Sequence, residues 1–278
     1  MIGNIPSIKM NSGHMLPQLG LGVYKAIEPG EVEYAIDCAF EAGYRMIDTA
    51  SVYKNEEGVG RALRSSRLKR DEFFVTTKIW NNAQRVGDIE GSFKRSLDRL
   101  QLDYVDLYLV HWPVPGCYPE TWKALEKIYH SGRAKSIGVS NFTAYQLEEL
   151  RVISDIVPAV NQIEFHPYWD QSELAAYCNQ HGIAVQAYAP LARGAYLKDP
   201  VILKIAEAHN RSAAQVGLRW LIQKGVSVIP KSSKEKHIFS NCEIFDFSLT
   251  KEEMEQIDGL NKNYRAAGIP EDIREYYV

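Results

Sequence analysis

The sequence predicts an α/β protein, a closed (β/α)8 TIM barrel formed by a single domain over residues 1–278. Short apolar, β-branched runs alternate with longer amphipathic stretches, eight times in strand-then-helix order. Such alternation argues for a parallel sheet. A length of 278 residues suits one barrel. The apolar runs also end on reactive side chains, as the catalytic rim of a barrel requires. A doubly wound open sheet is the competing arrangement.

The units follow in order. SIKMNSGHMLPQLG has the pattern of a hairpin with its turn at Asn11–Gly13. GLGVY precedes a helix from about Gly30 to Ala42, and YRMID one from about Asn55 to Ser65. FFVTTKI precedes a helix from about Val86 to Leu100, and YVDLYLVHW one from about Pro119 to His130. AKSIGVSN is followed by a helix near Ala144 to Ile153, and AVNQIEF by one near Ser172 to His181. IAVQAYAP precedes two helical stretches, about Val201 to His209 and Ser212 to Lys224. SVIPKS precedes a short helix near Lys234 to Asn241. In LTKEEMEQI, Thr250 and Glu253 have the spacing of a capping box at the start of a last helix.

Composition narrows the function. At 45% hydrophobic and 24% charged, the chain has the composition of a soluble globular protein with a large core. A formal charge of -3 supplies no field for nucleic acid or an anionic membrane. The basic cluster RALRSSRLKR is followed at once by an acidic pair and is expected to be a solvated helix end. Cys38, Cys117, Cys178 and Cys242 lie far apart, in no zinc spacing, so reduced thiols and a cytoplasmic location are expected, with no metal. The first residues carry neither the charged nor the apolar region of a signal peptide, and no uncharged apolar run reaches membrane-spanning length. Without a heptad or an apolar stripe, a monomer is expected.

The strand ends carry the chemistry. YRMID ends on Asp48, VTTKI carries Lys78, LYLVHW carries His111, and SIGVSN ends on Ser140 and Asn141. VNQIE carries Gln162 and Glu164, VQAYAP carries Tyr188, and SVIPKS carries Lys231 and Ser232. Singly, each has a structural explanation: a helix cap, a turn, a satisfied core histidine or a snorkelling lysine. Seven strands converging on one face make a shared site the better explanation. Asp48, Lys78 and His111 come from consecutive strands, with Tyr53 five residues past Asp48. Asp48 then keeps the buried Lys78 charged. At ~4 Å and an effective dielectric of ~20, an ammonium attracts a phenolate by about 4 kcal/mol. That equals about 3 pKa units and is expected to bring the Tyr53 phenol toward neutrality. His111 is placed to bond or orient a substrate oxygen.

At these residues the chain resembles the aldo-keto reductases, within them the bacterial diketogluconate and glyoxal reductase-type members. The resemblance runs through GYRMIDTASVYKNEEGVG, VTTKIWN, LDYVDLYLVHWP, GRAKSIGVSNF, VNQIEFHPY, AYAPLARG and VIPKSS, nearly the whole chain. It implies that the N-terminal β-hairpin plugs the barrel and that a nicotinamide cofactor reduces aldehydes or ketones. The implied catalytic tetrad is Asp48, Tyr53, Lys78 and His111, with Tyr53 the proton donor. Ser140, Asn141 and Gln162 match positions that hold the nicotinamide carboxamide, and Tyr188 the aromatic that stacks on its ring. Leu191 to Gly194 match the loop over the pyrophosphate. Lys231 and Ser232 match the grip on the adenosine 2′-phosphate, and Asn241 a contact to adenine.

One position departs from the pattern. Where many members carry arginine six positions after the phosphate-binding lysine, this chain has His237. Neutral imidazole lacks the guanidinium fork, so NADPH is expected to be preferred by a narrower margin, with NADH usable. Tyr24, Trp80 and Trp112 follow strands one, three and four and are expected to wall a partly apolar pocket. The loops after His111 and Tyr188 and the tail beyond Asn263 are short. An open pocket for small aldehydes, dicarbonyls and keto sugars follows. Two other uses of these residues are a Schiff-base lyase built on Lys78 and a cofactor-binding regulatory subunit with little turnover.

Overall fold

The structure, a computed structural model, describes residues 5–276; positions 1–4, which open the stretch searched for a signal peptide, lie outside them. It begins with the expected hairpin, β1 (Ser7–Lys9) paired antiparallel with β2 (Met15–Pro17). Gly13 takes φ 85°, a left-handed conformation that glycine adopts without strain. The hairpin lies across the N-terminal ends of the barrel strands. Ser12 Oγ meets Ser136 Oγ at 2.8 Å, and Asn11 Nδ2 donates to the Pro158 carbonyl at 3.0 Å.

Eight parallel strands follow, in sequence order: β3 (Leu21–Gly22), β4 (Met46–Asp48), β5 (Phe74–Ile79), β6 (Val105–Val110), β7 (Ala134–Ser140), β8 (Val160–Glu164), β9 (Ala184–Tyr188) and β10 (Ser227–Ile229). Single bridges Leu19↔Val228 and Gly22↔Lys231 join the last strand to the first. Backbone bonds from Gly20 N–H to Val228 O (2.9 Å) and from Val228 N–H to Gln18 O (2.8 Å) support that seam. The sheet is therefore a closed barrel, and the open-sheet alternative falls away.

Helices α1 (Glu31–Glu41), α2 (Glu56–Ser65), α3 (Asn81–Arg85), α4 (Ile89–Leu100), α5 (Tyr118–His130), α6 (Ala144–Ile153), α7 (Ser172–Gln180), α8 (Pro200–Ala208), α9 (Ala213–Gln223), α10 (Glu235–Cys242) and α11 (Lys251–Asp258) lie between and after the strands. The Thr250–Glu253 capping box forms: Glu253 Oε2 accepts the Thr250 N–H at 2.7 Å, and Thr250 Oγ1 accepts the Glu253 N–H at 3.2 Å. One helix differs from expectation. The stretch expected to begin near Val86 begins at Ile89, because Gly87 at φ 71° turns the chain left-handed. The short helix α3 precedes that turn, ending at Arg85, and Val86 is exposed.

Strand alternation sorts the side chains. Ile47, Val75, Tyr108, Val110, Ile137, Val139, Val185 and Val228 pack outward against the helices in the main core. Met46, Leu107, Leu109, Val160, Ala184 and Ile229 fill the barrel together with Met10 and Leu16 of the hairpin. The layer above this apolar plug is polar. Among the helices, α2 and α4 approach closely at Gly60, where an added Cβ would lie 2.4 Å from Leu100 O and 2.8 Å from Arg99 O. Both obstacles are backbone, so Gly60→Ala is expected to lower stability by about 1–3 kcal/mol through overpacking. That outweighs the ~1 kcal/mol that alanine gains in a helix. Urea unfolding tests this; an unchanged or raised midpoint contradicts it.

Candidate active site

At the C-terminal ends of β4 and β5, Lys78 is fully buried. Its Nζ lies 2.6 Å from Asp48 Oδ1 and 2.8 Å from the Thr49 carbonyl. An ammonium so buried persists only with such partners. Burial pushes the Asp48 carboxyl up and the Lys78 ammonium down, and their ion pair opposes both shifts. A single helical turn, Ser51–Tyr53, carries the tyrosine over this pair, with Lys78 Nζ 5.0 Å from the Tyr53 ring centroid. Ser51 Oγ donates to the Lys78 carbonyl at 2.9 Å and anchors the turn. His111, just past β6, sets its ring 5.7 Å from that of Tyr53 at an interplanar angle of 73°. The four residues expected to meet do meet.

Their electrostatics correct one expectation. The Tyr53 phenol is pushed well above its usual value, not toward neutrality. Burial is the main cause, and the Asp48 carboxylate, Tyr188 and Tyr24 add to it. The carboxylate that matches the lysine's charge at 2.6 Å itself disfavours a phenolate, and desolvation, the largest cause, decides the sign. His111 is held well below the usual imidazole value, by burial first and by Lys78 second. The site at neutral pH thus contains a protonated phenol and a neutral imidazole. His111 Nδ1 is buried with no hydrogen-bond partner among the described residues.

The residues expected to hold the nicotinamide form one connected group. Ser140 and Gln162 are register partners at the ends of β7 and β8, as are Glu164 and Tyr188 on β8 and β9. Gln162 Nε2 donates to Asp48 Oδ2 at 2.8 Å and to Gln186 Oε1 at 2.7 Å. Both amide hydrogens are thereby committed, and its carbonyl oxygen is the acceptor that remains. Tyr188 donates to Asn141 Oδ1 at 2.7 Å, while Asn141 Nδ2 donates to His111 O and to Ser140 Oγ, each at 3.0 Å. Asn141 has φ 65°.

Farther along the rim, Ala192 and Arg193 take left-handed φ of 47° and 51°, followed by Gly194 at 95°, just beyond Leu191. Strained conformations of this kind in non-glycine residues cluster at functional loops. Lys231 is exposed, with Nζ 3.4 Å from Glu31 Oε1, and Ser232 is buried, accepting the Lys234 N–H at 3.1 Å. His237 is exposed on the first turn of α10, and Asn241 is buried near its end.

Of the expected pocket walls, Tyr24 sits 4.9 Å from the Tyr53 ring and Trp80 5.1 Å from the His111 ring, centroid to centroid. Trp112 is buried instead, packed with Val114 and Ile273. The tail is short, but it lies across the mouth rather than away from it. Arg85 Nη1 pairs with Asp272 at 2.5 Å, and Asn81 Nδ2 donates to Asp272 at 3.1 Å. Glu164 Oε1 accepts the Ala267 N–H at 3.0 Å. Arg265 stacks near Trp112 and Trp169, 5.9 and 5.4 Å from their rings. Sequence reasoning missed this tail anchorage, and it missed Gln186. Gln186 had a signal, since it lies two residues before Tyr188 on the same strand face.

The closed barrel gathers a lysine–carboxylate pair, a tyrosine and a histidine at its rim. Comparison with known proteins gives the class. Residues 17–262 match the model of the Aldo/keto reductase family, and the chain belongs to that family. It is 48% identical over 267 residues to a protein named glyoxal reductase from Bacillus subtilis (strain 168), covering 96% of this chain and 97% of that one. It is 46% identical over 273 residues to a 9,11-endoperoxide prostaglandin H2 reductase of Trypanosoma cruzi (strain CL Brener), covering 97% and 96%. The crystal structure of a Bombyx mori aldo-keto reductase in complex with NADP superposes with a TM-score of 0.91, at 38% identity and 98% coverage of both chains. The protein is an aldo-keto reductase using a nicotinamide cofactor.

Proposed function

We propose that the protein reduces small aldehydes, dicarbonyls and keto sugars to alcohols with NADPH, accepting NADH less well, and that Tyr53 delivers the proton. The observation that carries this reading is the meeting of Tyr53, His111 and the buried Lys78–Asp48 pair at one end of the barrel. The residues present suit the cofactor. The open acceptor on Gln162, with the hydroxyl of Ser140, matches a carboxamide, and the half-buried Tyr188 offers a ring to stack on. The left-handed loop at Leu191 to Gly194 suits a pyrophosphate, Lys231 and Ser232 an anionic 2′-phosphate, and Asn241 an adenine edge.

When bound, the nicotinamide supplies a hydride to the carbonyl carbon. The chain's residues do the rest. Neutral His111 donates a hydrogen bond to the carbonyl oxygen and orients it. As negative charge gathers there, the oxygen becomes a stronger base than a phenolate, and the Tyr53 proton moves to it downhill. No acidified phenol is needed for that step, only a protonated one in position. Lys78 lies under the ring as the phenolate forms and stabilises its charge. Asp48 and the Thr49 carbonyl hold Lys78 in place, Gln162 steadies Asp48, and Tyr24 and Trp80 keep water from the reacting faces.

A Schiff-base role for Lys78 has less support, because its nitrogen is fully buried and already bonded to Asp48 and Thr49. The test is cofactor oxidation against glyoxal, methylglyoxal and a keto sugar, with NADPH and NADH in parallel. Turnover of dicarbonyls with a modest NADPH preference is expected. Failure to reduce any carbonyl would instead support a regulatory protein. A preference for NADH would overturn the role given to Lys231 and Ser232, and a preference for NADPH by many orders of magnitude would overturn the narrowing assigned to His237.

A further inference from the structure

Glu31, the first residue of α1, is held in a defined pose. Its Oε2 accepts the backbone N–H of Ile27 at 3.1 Å and that of Glu28 at 3.4 Å. This turns Oε1 toward Lys231, whose Nζ is 3.4 Å away. The neighbouring Ser233 hydroxyl, with the Glu28 N–H and Lys231, holds this carboxyl below the usual carboxylate range. The side chains of Glu31 and Lys231 are 22% and 36% exposed, so the contact is partly shielded from solvent. Loop 27–31 and the loop after β10 are thereby joined across the rim where the 2′-phosphate is placed.

We infer that the Glu31 carboxylate occupies the position of the cofactor's 2′-phosphate on Lys231, and so sets how strongly the protein distinguishes NADPH from NADH. This rests on the reading of Lys231 and Ser232 as the phosphate grip. The argument is one of charge and hydrogen-bond direction. A phosphate arriving at Lys231 must displace this carboxylate or lie beside it, and like charges at that separation repel. NADH brings a hydroxyl in place of the phosphate. A carboxylate accepts from a ribose hydroxyl, the use that acidic residues have in dinucleotide-binding folds. Glu31 thus weakens NADPH without opposing NADH. His237 acts in the same direction by withholding a guanidinium.

The experiment is calorimetric titration of the full chain with NADPH and with NADH, for the native protein, Glu31→Gln, Lys231→Met and the double variant. Glutamine keeps an oxygen for the Ile27 and Glu28 N–H groups, so the loop retains its bonds. Equal unfolding midpoints check this, and Glu31→Ala serves as a second variant. Glu31→Gln is expected to tighten NADPH binding about fivefold, the upper range for a charge pair of this exposure. NADH binding should stay level or weaken. In the Lys231→Met background the gain should shrink, because the displaced partner is absent. If neither variant at Glu31 changes the ratio of the two dissociation constants while Lys231→Met does, the inference is wrong and the phosphate grip stands. If Lys231→Met also leaves the ratio unchanged, both are wrong.

Discussion

Tyr53→Phe is expected to lower turnover about 10²–10⁴-fold, the contribution usual for a positioned general acid. Nucleotide affinity should stay within about twofold, since a lost contact of 0.4 kcal/mol already doubles a dissociation constant. The phenyl ring keeps its place over Lys78 and beside Tyr24, so only the proton is removed. The pH profile gives a second reading of the same residue. With the phenol pushed up and the imidazole pushed down, neither group titrates between the ordinary values of about 6.5 and about 10. The turnover number should be flat across that window. A variant retaining most of its turnover, or an ionisation inside the window that Tyr53→Phe abolishes, would contradict the assignment.

Lys78→Met should affect folding as well as chemistry. Removing the ammonium leaves the buried Asp48 carboxylate with Gln162 as its partner, and breaking a buried pair from one side typically costs about 3–5 kcal/mol. The sign with pH is defined. Burial already raises the Asp48 carboxyl, and Lys78 opposes that rise; without the lysine it rises further. Between the unfolded value of about 3.9 and the higher folded value, the folded state binds more protons than the unfolded one. Stability of the variant therefore falls as pH rises through that interval, by up to ~1.4 kcal/mol per pH unit. Urea unfolding at pH 5 and pH 7.5 should show the larger loss at pH 7.5, with carbonyl reduction nearly abolished. A loss equal at both would mean that the carboxylate is not the group left exposed to the penalty.

The barrel was legible because period-two alternation places Asp48, Lys78, Ser140, Gln162 and Tyr188 on one face of their strands, and strand ends converge by topology alone. What the sequence did not disclose depends on distances between elements. Whether an ammonium acidifies a phenol turns on how deeply the phenol is buried and how close a carboxylate stands, and here burial first and Asp48 second push Tyr53 the other way. The short helix α3 lies before the stretch expected to be helical from Val86, and Gly87 delays that helix to Ile89. Trp112 had the position of a pocket wall, and only the path of the tail shows it covered by Ile273. Glu31 carried no signal at all. Its partner lies 200 positions away, and a first-turn glutamate needs no explanation beyond the helix dipole.

The seam between β3 and β10 is a thin join, two isolated bridges, and beside it Ser227 Oγ donates to Pro17 O of the hairpin across 210 positions. Contacts between such distant segments form late, after the entropy of closing a long loop has been overcome. Lys231 is one of the bridging residues. A chain still emerging from the ribosome therefore cannot close its barrel until the residues around Lys231 have been made.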